Sequence, residues 1–215
     1  MSLIESKLLA TLQENWRELA KQVGLAENLI SESWAEIVRA YQSAERYYHD
    51  LNHISDMLML WEQHRADLQH PKILALCIWF HDIVYQVDRK GNEQKSAERA
   101  LHYLEQSELS ATALTQVYQS ILATQDHQLS FDYPDLAYLL DFDLAVLGRD
   151  WERYLEYTHQ IRKEYSIYPD ELYRPGRRKV LEHFLTRENL YFTAFAQEEW
   201  ESQARFNLKM ELSSL

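Results

Sequence analysis

Cysteine, glycine and proline are scarce in this chain of 215 residues, with one Cys, four Gly and four Pro. A lone cysteine, Cys77, cannot form an intrachain disulfide, which makes a cytoplasmic setting the expectation. So few turn formers do not suffice for a β-sandwich or a barrel. Neither GxGxxG nor GxxxxGK[ST] occurs, so the common phosphate-cradling loops are excluded. Long hydrophobic runs are missing too. The longest spans 73–80, too short to cross a bilayer, and no membrane partner is expected. Positive charge is in short supply: 22 Lys and Arg stand against 34 Asp and Glu, a net charge of −12. An acidic surface repels a phosphate backbone, which argues against long nucleic acid as a partner. The opening MSLIESKLLATLQENW carries charges inside its apolar stretch and no cleavage signal. It reads as an amphipathic helix and not as a secretory peptide.

What is present points to helices. Apolar residues make up 46% and charged residues 26%, a globular composition. The glycines and prolines fall between periodic apolar stretches, where helices stop and start. The spacing predicts about ten helices, roughly over 2–22, 26–46, 47–67, 71–87, 92–107, 110–125, 134–148, 150–165, 176–188 and 190–212. Pro71 and Pro134 suit a first helical turn. Asp150 suits a cap for the helix from Trp151, and Gly148 a C-terminal stop. The expected architecture is all-α, one helical bundle over 1–215. Its core lies at about 47–210, and the helices of 1–46 pack on it.

Four polar groups stand out against apolar surroundings. The stretch ILALCIWFHDIVY, 73–85, is apolar on every side and reads as a central, buried helix. His81 and Asp82 lie inside it, and a buried carboxylate is costly without a partner. In YHDLNHISDM, His49 and His53 are four apart, which places them on one helical face. His53 shares its face with Met57 and Leu60, so it points inward. In LLDFDLAVL, Asp141 and Asp143 lie about 200° apart around a helix and cannot both face one site. Leu139, Leu140, Val146 and Leu147 flank Asp143, which is therefore the more deeply placed of the two and needs a cation more. One divalent ion on His53, His81, Asp82 and Asp143 accounts for all four together. Mixed nitrogen and oxygen ligands suit Mn, Fe, Co, Ni, Zn or Mg, and the sequence does not choose among them.

The pattern H…HD…D in an all-α chain resembles the HD superfamily of metal-dependent phosphohydrolases. His53, His81, Asp82 and Asp143 fall where that family's four metal ligands stand. YHDLNHISDM also resembles the YHN…HA.D motif of cyclic nucleotide phosphodiesterases. That likeness implies metal duty for His53 and proton donation to the leaving group for His49, with Asp50 standing where those enzymes carry Asn. WFHDIVY at 79–85, NEQKSA at 92–97, DFDLAVLG at 141–148, IRKEY at 161–165 and GRRKVL at 176–181 resemble a bacterial group of HD-type phosphohydrolases of undetermined substrate.

Further candidates surround this core. Glu93, at a helix start, suits the orientation or deprotonation of water; it equally suits a first-turn acid beside the helix dipole. Lys95, Ser96 and His127 are candidate phosphate contacts. Tyr48 and Trp79 are either pocket walls or core aromatics. His64, His70, His102, His159 and His183 sit in polar stretches and read as surface residues. Arg174, Arg177, Arg178 and Lys179 crowd six positions, and Arg177 reads as a phosphate clamp at a helix start. The expected function is hydrolysis of a small phosphate ester, a nucleotide before a sugar phosphate, by a chain that could form a homodimer. Two alternatives stand beside it, an HD-fold diiron oxygenase and a non-catalytic module binding metal or nucleotide.

Overall fold

The computed structural model describes residues 3–215, and their side chains from Ser6 onward. Among the described residues all regular structure is helical. The α-helices are α1 (Leu3–Gln22), α2 (Glu27–Tyr41), α3 (Leu51–Gln63), α4 (Pro71–Phe80), α5 (Asn92–Leu104), α6 (Ala111–Ala123) and α7 (Leu136–Asp143). They continue with α8 (Trp151–Glu164), α9 (Asp170–Thr186), α10 (Ala194–Glu199) and α11 (Glu201–Ser214). Short 3₁₀ turns occupy Arg65–Asp67 and Ala145–Gly148. None of these helices is long and apolar enough to cross a membrane. The predicted start of the first helix at residue 2 lies outside the described residues. The chain divides into two compact units, one reaching to Leu139 and the other Leu140–Leu215, with the boundary inside α7.

The first unit is organised around α4. Every residue from Ile73 to Phe80 is buried, as the all-apolar sequence requires. Trp79 is a core aromatic: its ring meets Trp16 edge-on at 5.7 Å and Trp34 at 6.2 Å. Phe80 meets Trp16 at 5.5 Å. Pro71 opens the helix, where a missing N–H is harmless. Just before it, the buried Asp135 carboxylate accepts from the N–H groups of Gln69 at 2.9 Å and His70 at 2.6 Å. Asp135 thus satisfies donors that would otherwise be orphaned where α4 begins. The helix ends at Phe80, earlier than the predicted 87. His81 and Asp82 therefore sit at its C-terminal end and not mid-helix.

The second unit owes its shape to captured backbone N–H groups. The sequence predicts one helix over 190–212, but α10 begins only at Ala194. Before it, Glu201 accepts from the N–H groups of Leu190 and Tyr191, and Asp141 from those of Phe192 and Thr193. Ionised acceptors hold such donors more strongly than a helical carbonyl does, so this stretch stays out of the helix. The helix predicted from 176 starts at Asp170 instead, with Pro175 inside it. Asn207, fully buried, donates to the carbonyls of Leu147 and Arg149 at 2.8 Å each, and so ties α11 to the turn that precedes α8. Asp150 caps α8 as its sequence position suggests, accepting from the Arg153 N–H at 3.0 Å.

Gly148 closes the 3₁₀ turn against Trp200. A Cβ at this position would stand 2.4 Å from the Trp200 Cβ. Gly148→Ala should therefore lower stability by about 1–3 kcal/mol through overpacking. Urea unfolding monitored by Trp fluorescence checks this, and an unchanged midpoint would show that Trp200 has room to move.

Candidate metal centre

His53 and His81 meet inside the first unit. Both are buried, at 4% and 1% exposure, and their Nε2 atoms lie 3.2 Å apart. Local chemistry fixes each one. Asp50 has extended backbone and caps α3, accepting from the N–H groups of Asn52 at 2.7 Å and His53 at 3.4 Å. That starts the helix at Leu51 and turns His53 inward with Met57 and Leu60, which are buried on the same side. His81 ends α4 and presents Nδ1 to the Ile78 carbonyl at 2.9 Å. A carbonyl oxygen can only accept, so Nδ1 carries the proton and a neutral His81 presents a lone pair at Nε2. This is the arrangement in which a backbone carbonyl sets the tautomer of a metal-binding imidazole.

A carboxylate approaches the same nitrogen. Asp82 Oδ2 lies 3.4 Å from His81 Nε2 and 3.9 Å from His49 Nε2. A simple His–His hydrogen bond satisfies the two rings, but it leaves a carboxylate facing a lone pair. A positive charge at Nε2, whether a second ring proton or a metal ion, resolves the carboxylate contact, and a metal ion can also take the His53 nitrogen. The spacing fits: two nitrogens bound to one ion at about 2.0–2.1 Å stand about 2.9 Å apart at a right angle and about 3.3 Å apart at the tetrahedral angle. The donor set, imidazole with carboxylate, suits a first-row divalent ion. His53 and His81 belong to a group of side chains that could hold a metal ion.

The two aspartates of α7 correct the sequence reading in part. Asp143 is half-buried, whereas Asp141 is fully buried and is the deeper of the two. Burial pushes the Asp141 carboxyl up to about 6, against the pull of its hydrogen bonds from Thr193 and Phe192. Those bonds, at 2.6–2.8 Å, come from the N–H groups of Phe192 and Thr193 and from the Thr193 hydroxyl. Asp141 therefore serves the second unit's backbone. Depth was the wrong criterion for choosing between them, because a buried carboxylate can be satisfied by N–H groups as well as by a cation.

His49 reaches the site by a route other than the predicted one. It precedes the Asp50 cap and is not part of α3, so its spacing from His53 does not put them on one helical face. Its ring stacks on Tyr85 at 4.2 Å and lies 5.9 Å from the His53 ring. Tyr48, half-buried, meets both rings at 5.0 Å. The residue that sequence reasoning missed is Arg46. Its guanidinium donates to the carbonyls of His49 at 3.1 Å, Asp82 at 2.7 Å and Ile83 at 3.1 Å. The one available signal was an arginine three positions before His49 in an acidic chain.

The remaining candidates divide by environment. Glu93 is half-buried in the first turn of α5, and Lys95 is exposed two residues on. The Ser96 hydroxyl is fully buried and stitches Val84, accepting from its N–H at 3.0 Å and donating to its carbonyl at 3.2 Å. It braces the loop behind Asp82 and is not presented as a phosphate contact. His127 is half-buried after α6 with φ of 47°, the left-handed region. His70, His102, His159 and His183 are exposed, and His64 is half-buried.

Arg177 does not stand at a helix start. It lies within α9, its side chain 9% exposed, and forms a two-pronged pair with Glu211, Nε to Oε1 at 2.7 Å and Nη2 to Oε2 at 3.0 Å. The Tyr154 hydroxyl donates to the same carboxylate. This pair accounts for both the burial and the charge of Arg177, so a phosphate clamp there has no geometric support. Removing one partner of a buried ion pair strands the other, and Arg177→Ala should lower stability by about 3–5 kcal/mol. Denaturant unfolding measures that loss. Equal stability of variant and wild type would mean that Glu211 finds water instead.

Comparison of the chain with family models, with curated proteins and with solved structures gives no match.

Proposed function

We propose that this chain is a divalent-metal-dependent hydrolase acting on a small phosphate ester, with the helical organisation of the HD superfamily. One observation carries the reading: the facing Nε2 atoms of His53 and His81, 3.2 Å apart and buried, with Asp82 Oδ2 against the same nitrogen of His81. His53, His81 and Asp82 would hold the ion, with Asp143 the fourth ligand that the resemblance to the HD superfamily implies. When bound, it supplies Lewis-acid charge to phosphoryl oxygens and makes a strong nucleophile accessible near neutral pH. The chain's own groups do the rest. His81 Nδ1–H donates a hydrogen bond to the Ile78 carbonyl, which keeps Nε2 directed at the site. His49, half-buried beside Asp82 and stacked on Tyr85, is placed to give a proton to the leaving oxygen. Glu93, at the start of α5, is the candidate to orient the attacking water. The net charge of −12 favours a small substrate over a polyanion. With Arg177 held by Glu211, no residue argues for a nucleotide over other small phosphate esters.

His81→Ala and His53→Ala should each give a folded, metal-poor protein. Elemental analysis after loading with Mn²⁺ or Zn²⁺ decides this, and a full equivalent of metal retained in both variants would overturn the assignment. His49→Ala should keep its metal and lose turnover by about 10²–10⁴-fold, the range for a general acid. Hydrolysis of p-nitrophenyl phosphate esters provides the rate, and loss of metal in this variant would make His49 a ligand instead.

A further inference from the structure

Arg46, His49 and Asp82 lie on two non-helical segments of the first unit. One is the turn that carries Arg46, Tyr48 and His49 ahead of α3; the other is the turn that carries Asp82 and Ile83 after α4. Segments of this kind have no helical hydrogen-bond ladder to fix them, yet His49 and Asp82 must stay within 3.9 Å of one another. Arg46 spans the gap. One Nη donates to the carbonyls of both His49 and Asp82, and the other Nη donates to Ile83. The planar guanidinium offers several donors in a fixed fork, which lets one side chain set the spacing of several acceptors. The fork is itself held: its carbon lies 4.8 Å from the Tyr41 ring centroid and 5.5 Å from that of Tyr85. Tyr41 is buried and donates to the Trp79 carbonyl at 3.2 Å, so the platform under Arg46 belongs to the core. Tyr85 stacks on His49 and also lies under Arg46.

We infer that Arg46 is a positioning residue that clamps the His49 turn to the Asp82–Ile83 turn and so sets the His49 ring against Asp82 and Tyr85. Its consequence for catalysis rests on the hydrolase reading above; its consequence for the geometry does not. The Arg46 hydrogen bonds go to the backbone carbonyls of His49, Asp82 and Ile83, so its loss should disturb His49 while leaving His53 and His81 facing each other. A misplacement of about 1 Å in a reacting group costs up to about 10²-fold in rate. Arg46→Ala should therefore lower kcat about 10- to 100-fold with little change in KM. A cleft of about 200 Å³ lined by Arg46, Tyr41, Asp50 and Asn52 opens beside the side chain. Free guanidinium can enter there and replace the lost fork.

The test uses the full chain. In metal-free protein, the nuclear Overhauser contacts between the His49 and Tyr85 rings should vanish in Arg46→Ala while those between His53 and His81 persist. With Mn²⁺ and bis(p-nitrophenyl) phosphate, kcat should fall as stated, Mn²⁺ affinity should hold, and millimolar guanidinium should restore kcat severalfold. If Arg46→Ala does not fold, Arg46→Lys takes its place, because an ammonium cannot span the three carbonyls in one plane. Persistence of the His49–Tyr85 contacts, an unchanged kcat, or a collapse of Mn²⁺ affinity would each overturn the inference. If the wild-type chain neither binds Mn²⁺ nor hydrolyses the ester, the hydrolase reading fails. The ring contacts still decide the role of Arg46.

Discussion

A lone pair and a carboxylate crowding one buried nitrogen is the constraint on which the first unit turns. The Ile78 carbonyl commits His81 Nδ1 to donating, and that leaves Nε2 facing His53 at 3.2 Å and Asp82 at 3.4 Å. No tautomer of a neutral His81 makes both contacts favourable, whereas a positive charge at Nε2, a ring proton or a metal ion, does. The surrounding structure serves to keep this arrangement. Asp50 starts α3 where His53 turns inward, Asp135 caps the start of α4, and Ser96 braces the loop that follows Asp82. A cavity or an unpaired group at any of these supports would move a ligand before it touched one.

The other buried charges of the chain show what satisfaction without a metal looks like. Asp135 and Asp141 are as buried as any residue here, yet each takes two backbone N–H groups at hydrogen-bond distance. Glu211 takes both prongs of Arg177 and a tyrosine hydroxyl. These groups need no ion, and each fixes local architecture: the start of α4, the extended stretch before α10, and the joining of α9 to α11. Burial alone therefore separates functional from structural carboxylates poorly, and the kind of partner separates them well.

The sequence made the helical class plain because apolar periodicity and scarce glycine are local properties. It also marked His53 and His81, since polar groups in apolar stretches can be seen without coordinates. Other features depend on pairings across the chain and had no local signal. The greater depth of Asp141 depends on N–H groups about fifty residues away, and the burial of Arg177 depends on Glu211. The early end of α4 left His81 and Asp82 at a helix terminus, which an unbroken apolar run concealed. The four-residue spacing of His49 from His53 is not a helical one, because Asp50 caps α3 and leaves His49 outside it. Arg46 escaped notice because its role lies in three backbone carbonyls, and backbone acceptors leave no trace in a residue pattern.

The central claim is that His53 and His81 bind one metal ion together. X-ray absorption at the metal edge of the Zn²⁺-loaded wild-type chain tests it without recourse to any variant. Two imidazole nitrogens at about 2.0–2.1 Å, with oxygen completing the shell, are the predicted result. A shell of oxygen alone, or one containing a single imidazole, would contradict it.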